Sequence, residues 1–354
     1  MPSFRSIDAL KATVMTETIR RLDLPRTFWR TLLFSDERTL ENETVELGKE
    51  TRTRRAAPFV RSGSSAIMVR GRNTSLAQFE TPNIRIKKPF NPGDVMFDRG
   101  PGEALYNARL QGKMQRQMAK DLEDMEFQIR EAEEFLCASV VKGVISYDVP
   151  GQDSFIVDYG KPADTVLSLA DSWDGATPAI QMTFMRAKRD LAGRPGGGFG
   201  LTDAVMGSNA TDAFMADEQI LKKMDSTVRV SIGGPLDFTR DLEQNGAVQF
   251  LGSFMGVRCW SYVATTTLSD GSVVELTRPD YVEFVAATRG AMNRMYYGGI
   301  TDPRALQAGG PEMKRFSKSW FDEDPGTVYS LLQSRPLPVA LNPDSMQSYK
   351  VTNV

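Results

Sequence analysis

A chain of 354 residues with no histidine, two cysteines and a formal charge of −2 can bury a sizeable core. It lacks the side chain on which most general-base, nucleophile-pair and transition-metal chemistry at neutral pH relies. Cys137 and Cys259 form no CxxC pair, which removes zinc-ribbon and thioredoxin-like readings, and no run is long and apolar enough for a membrane span.

The charged N-terminus "MPSFRSIDALKATVMTETIRRLDL" is not a secretory signal, so the expectation is a soluble protein made in the cytosol, its two thiols buried and reduced. Within it, Ile7, Leu10, Val14, Ile19 and Leu22 recur at near-helical spacing and predict one or two short amphipathic helices at 6–23. "LPRTFWRTLLF" follows, and its cluster Phe28, Trp29, Leu32, Leu33 and Phe34 needs a surface to dock on.

From 45 to 100 the chain turns rich in Arg, Gly, Ser, Thr and Pro, with short alternating runs that predict a long two-stranded arm with a mobile tip. An isolated ribbon is marginal in water, so this arm must lean on something else. Residues 49–72 hold seven bases, among them Arg52, Arg54, Arg55 and Arg61, against the single acid Glu50. Such a cluster is a footprint of phosphate binding, and a nucleic-acid arm is one reading. Against it stand the mildly acidic body and the lack of stacking aromatics, Phe59 being alone in the arm.

The clearest element is 113–142, where Met114, Met118, Leu122, Met125, Ile129, Ala132, Leu136 and Val140 form one apolar stripe of a long helix. Its outer face is expected to be acidic, with Asp121, Glu123, Asp124, Glu126, Glu131, Glu133 and Glu134 outnumbering Lys113, Arg116, Lys120 and Arg130. Gly143 stops the stripe, and "VISYDVPGQDSFIVDY" reads as a hairpin turning at Pro150-Gly151.

Helices are expected at 178–192, with Pro178 near the first turn, and at 209–224, with Asn209 as N-cap. Strands are expected at 201–207, 247–251, 256–264, 272–276 and 281–287, giving a mixed α/β region, and extended chain returns in the tail. "GRPGGGFG" at 193–200 follows a helix and precedes a strand, the reverse of a phosphate-binding loop, so it reads as a connection. "NAT" at 209–211 reads as a helix start rather than a glycosylation acceptor, and the seventeen methionines read as core filler and adaptable interface.

In order and spacing, "LPRTFWRTLLFSDERTLENETVEL", "EEFLCASVVKGVISYDV", "FIVDYG" and "YSLLQSRPLPVALNPDS" resemble the major capsid proteins of tailed bacteriophages, most closely the lambda-like major capsid protein E family. The resemblance implies an α+β chain with the Hong-Kong-type capsid fold. It divides the chain into an N-arm at 1–45, an extended loop at 46–100, a P-domain at 101–165 with 310–354, and an A-domain at 166–309.

It also implies a structural protein without catalysis, metal or cofactor, self-assembling as pentamers and hexamers into an icosahedral virion shell around double-stranded DNA. The implied partners are a separate scaffolding protein, a portal and a decoration protein, with assembly in the bacterial cytoplasm and no membrane. Some relatives crosslink Lys to Asn between subunits; Lys87, Lys88 and Asn342 are present, but the lambda-like family implies no such bond. Arms that cross neighbours would set Arg52, Arg54, Arg55 and Arg61 against Asp121, Glu123, Asp124 and Glu126 of the next subunit, while Phe28 and Trp29 would dock on the P-domain or a neighbour.

Overall fold

The computed structural model describes residues 27–51, 73–90, 110–147, 155–175, 178–194, 199–217, 220, 246–268, 270–286, 293–308, 310–322 and 327–353. The helices expected at 6–23, the turn at Pro150-Gly151 and the middle of the glycine run lie outside these residues.

A six-residue helix, α1 (Phe28–Leu33), leads into β1 (Glu37–Thr39). The chain then runs out along β2 (Thr44–Thr51) and back along β3 (Asn73–Glu80), paired antiparallel from Thr44↔Glu80 to Thr51↔Asn73. This is the expected two-stranded arm. The returning chain continues as β4 (Ile84–Phe90), which leaves the arm.

The long helix α2 (Leu110–Lys142) has 33 residues, about 50 Å at 1.5 Å per residue. Gly143 ends it at φ +107°, its N–H closing on the Ser139 and Val140 carbonyls, and the chain turns into the expected hairpin of β5 (Val144–Tyr147) with β6 (Phe155–Asp158).

Helices α3 (Ile180–Gly193) and α4 (Ser208–Ala216) flank β8 (Asp203–Met206), with the short strand β7 (Thr165–Val166) before them. Asn209 is not the N-cap of α4. Extended Gly207 holds that position, and the Asn209 amide donates instead to Asp280 Oδ1 at 2.7 Å. The strands β9 (Val248–Phe254), β10 (Val257–Tyr262), β11 (Thr265–Thr267), β12 (Val273–Glu275), β13 (Tyr281–Val285) and β14 (Asn293–Tyr297) follow, then α5 (Pro303–Ala308). The tail supplies β15 (Phe316–Asp322), β16 (Thr327–Ser334), β17 (Pro336–Ala340) and β18 (Met346–Lys350).

Three sheets organise the body. A six-stranded sheet runs β7-β18-β13-β8-β10-β9, and two three-stranded sheets run β1-β14-β17 and β15-β16-β4. Within 310–354, β18 pairs with β13 from Tyr281↔Lys350 to Val285↔Met346 and so belongs to the six-stranded sheet, and β17 pairs with β14 from Asn293↔Ala340 to Tyr297↔Pro336.

Both faces of that sheet are covered, and strand alternation sorts the side chains. Ala204 and Met206 pack with Ile180, Phe184 and Phe214 of α3 and α4, whereas Val205 between them joins the core against α2. At Leu251 β9 carries one extra residue opposite β10, so Phe250 enters one core and Phe254 the other. A third core lies under the first half of α2, where Met118, Leu122, Met125 and Ile129 meet Leu332 of β16 and Ile84 and Ile86 of β4.

The N-terminal aromatic cluster docks on its own chain. Phe28 and Trp29 are 1% exposed, and the Phe28 ring lies 4.7 Å from that of Tyr262 and 5.8 Å from that of Trp260. Phe28→Ala is expected to lower the stability of the chain by about 3–5 kcal/mol in chemical denaturation. Exposed Met182→Ala is the control, expected within about 0.5 kcal/mol of the parent.

Candidate assembly surfaces

Three acids expected on the outer face of α2, Glu126, Glu133 and Glu134, are instead buried at 3%, 0% and 1% exposure. Glu126 and Glu133 stand three before and four after Ile129, which puts them on its side of the helix. Arg315, just before β15, meets both: its Nε donates to Glu126 Oε2 at 2.7 Å, and its Nη2 lies 2.8 Å from Glu133 Oε1 without hydrogen-bond alignment. From the other side Arg30 of α1 approaches Glu133 at 3.5 Å and pairs with Glu37 of β1, which Lys314 also meets. One line of alternating charge therefore ties α1, α2, β1 and the tail together.

Glu134 completes this junction. Its Oε1 accepts the Trp29 N–H at 2.7 Å and the Tyr262 hydroxyl at 3.0 Å, and its Oε2 accepts the Arg30 N–H at 3.1 Å. Thr27 provides no side-chain cap, so a carboxylate from 105 residues away satisfies the amides at the start of α1. Burial pushes the Glu134 carboxyl up, and these hydrogen bonds oppose it.

What α2 does present outward is Lys120, Glu123, Asp124, Gln128 and Phe127, the last 46% exposed. Lys88 of β4 reaches Asp124 at 2.8 Å and Asp121 at 3.9 Å within the chain. Of the four acids expected to meet a neighbour's arm, Glu126 is consumed inside the subunit, Asp121 and Asp124 are partly neutralised, and Glu123 faces out. Arg52, Arg54, Arg55 and Arg61 lie outside the described residues. Lys87 sits over the Tyr329 ring at 3.7 Å, and Asn342 precedes a short 3-10 turn at Pro343–Ser345.

A second buried charge group fixes the far end of α2. Glu283 of β13 accepts Arg278 Nη2 at 2.8 Å, the Ser348 hydroxyl, and Lys161 Nζ at 3.4 Å, and Lys161 also donates to the Val141 carbonyl. Burial pushes the Glu283 carboxyl up, but Lys161 and Arg278 outweigh it and hold it below the usual carboxylate range. At Glu37 burial likewise raises, while Lys314 and Arg30 together win and lower it.

The arm is rooted where 40–43 and 81 cross the end of β14. Leu40 N–H donates to the Tyr297 carbonyl at 2.9 Å, Gly299 N–H to Asn42 at 2.8 Å, and Thr81 N–H to Glu43 at 3.0 Å. Arg335 bridges Glu43 Oε1 at 2.6 Å and the Thr81 carbonyl at 3.3 Å. The sequence reading missed Gly298, Gly299, Arg335, Arg30 and Arg315. Only the 3–4 spacing of Glu126 and Glu133 with Ile129 signalled a buried need for such cations.

Among the described residues no group of three or more Cys, Asp or Glu is placed to hold a metal ion, and no helix is long and apolar enough to cross a membrane. The fold is shared with phage capsid proteins. A protein described as the capsid protein of a prophage of E. coli CFT073 superposes at TM-score 0.73 with 18% identity, over 97% of this chain and 99% of that one. The mature capsid protein of bacteriophage PhiM1 superposes at TM-score 0.50 with 10% identity, over 94% and 89%. No curated protein sequence matches the chain. The family model described as "Phage major capsid protein E" matches residues 11–351, and the chain belongs to that family. It is an α+β capsid protein that builds the shell of a tailed phage.

Removing Arg315 leaves Glu126 and Glu133 buried without their main cation, so Arg315→Leu is expected to cost about 3–5 kcal/mol in chemical denaturation. The acid branch has a definite sign. Because Glu37 and Glu283 are held low in the folded chain, their contribution is present above the unfolded range near about pH 4.3 and is lost as pH falls through and below it. Thermal midpoints of the parent and of Glu283→Gln, measured from about pH 6 to about pH 3, should converge as the pH drops.

Proposed function

We propose that the basic arm at 49–72 crosses a neighbouring subunit and lies on the outward strip of its α2 helix, meeting Glu123, Asp124 and Phe127. The observation that carries this reading is that strip itself: exposed carboxylates beside a half-exposed aromatic ring, on the longest described helix of a chain that belongs to a shell-forming family. The arm brings the opposite charge, seven bases against one acid, with Phe59 among them. Each exposed pair contributes only about 0–1 kcal/mol, but closed rings of identical subunits repeat it, so the effect falls on assembly and salt sensitivity more than on the subunit's fold.

In this reading subunits join as pentamers and hexamers around double-stranded DNA held without sequence recognition, in the bacterial cytoplasm. A separate scaffolding protein, a portal and a decoration protein complete the particle. The long helix with the β15-β16-β4 sheet serves as the peripheral P-domain, and the six-stranded sheet with α3 and α4 as the A-domain. The near-neutral chain suits a lumen that must release its DNA, since each phosphate contact adds salt-dependent affinity.

Reversing Arg54 and Arg55 to Glu should block particle formation, seen by electron microscopy and sedimentation. Adding Glu123→Lys and Asp124→Lys to the same chain should restore part of it. Normal assembly of the reversed arm would reject the pairing, and failed rescue together with lost DNA binding in a gel shift would favour the nucleic-acid arm.

A further inference from the structure

We propose that Gly298 and Gly299 form a positioning crevice that fixes the direction in which the arm leaves the body, and through it the angle at which subunits join; the second half rests on the arm-crossing reading above.

Both glycines are buried directly after β14, and both are crossed by the root of the arm. A Cβ on Gly299 would stand 2.0 Å from the Glu41 carbonyl oxygen, and one on Gly298 would stand 2.2 Å from Thr81 Oγ1 and 2.9 Å from Thr81 Cβ. The first obstacle is the outgoing strand's backbone; the second is the side chain where the returning strand re-enters. Neither glycine has a left-handed φ. Their requirement is space, and the space is occupied by the arm.

Polar contacts then remove the remaining freedom. The outgoing chain is held at Leu40 and Asn42 by Tyr297 and Gly299, the returning chain at Thr81 by Glu43 and Arg335, and Arg335 is tied back through its own carbonyl to Gly298 N–H at 2.9 Å. Thr301 adds a hydroxyl donor to Glu43 Oε1 at 2.9 Å. A ribbon clamped on both strands within a few residues acts as a lever, so a small shift at the root becomes a large displacement at the tip. Among the described residues β2 and β3 pair in a sheet of their own, and the Val45↔Phe79 pair next to the root packs on the body, with Val45 buried and the Phe79 ring 5.8 Å from that of Tyr159, so the root and this first pair set their heading.

The test places a label pair on the full-length, unassembled chain through Ser75→Cys on β3 and Gln128→Cys on α2. Cys137 and Cys259 are fully buried, and burial pushes the Cys259 thiol up to about 12, so the native thiols are poor labelling targets. Spin-label distances and particle diameters are recorded for the parent, for Gly298→Ala, for Thr81→Gly, and for the two together. Gly298→Ala should shift the label distance and broaden or change the particle diameter. The combined variant should return both to those of Thr81→Gly alone, because the obstacle has been removed. Glu43→Gln, at a partly exposed carboxylate, guards against a folding failure and should widen the distance distribution while the thermal midpoint stays near the parent's.

An unchanged label distance in Gly298→Ala and Glu43→Gln would overturn the crevice. A shifted distance with unchanged particles would keep the crevice and instead reject the arm-crossing reading on which the second half rests.

Discussion

The structure depends on how α2 disposes of three carboxylates on a face that must also be apolar. Glu126 and Glu133 share an arginine from the tail, Glu133 also lies beside a second arginine from the N-terminal helix, and Glu134 takes backbone amides. Replacing such an arrangement by well-packed apolar groups is often neutral or stabilising, so its value does not lie in added free energy. A greasy face would accept α1 in several registers. Charges that must each find one partner accept it in one.

That single register propagates. With α1 fixed, β1 starts beside β14, and the next four residues reach the crevice from which the arm departs. The root of the arm is thus held by contacts inside the chain. The arm has no core of its own, so the body supplies the order that a core would supply elsewhere.

Much of this was legible in the sequence. The helix at 113–142, its end at Gly143, the hairpin after it, and the alternating strands of the middle region follow from period and turn chemistry, and all are present. The Phe28–Phe34 cluster was rightly expected to be buried. What failed was the assumption that a carboxylate-rich helix turns its acids outward, which holds only when no cation is available inside. Arg30 lies 103 residues from Glu133 and Arg315 189 residues from Glu126, and no local pattern announces a partner that distant. Asn209 illustrates the same limit, since its side chain is drawn to Asp280 by a contact 71 residues away. The glycine crevice was hidden for another reason: a Gly-Gly pair normally signals a turn, and here it signals a crossing.

The place of β18 carries a consequence for how the subunit is made. Residues 346–350 sit between β7 and β13, one place in from the edge of the sheet's hydrogen-bonded order, so every other strand of that sheet is synthesised before the one that joins β7 to the rest. While the ribosome still holds this stretch, the sheet has a gap and the helices above it rest on an unfinished platform. Such a long-range closure is slow and late. The sheet is complete only once translation has passed Lys350.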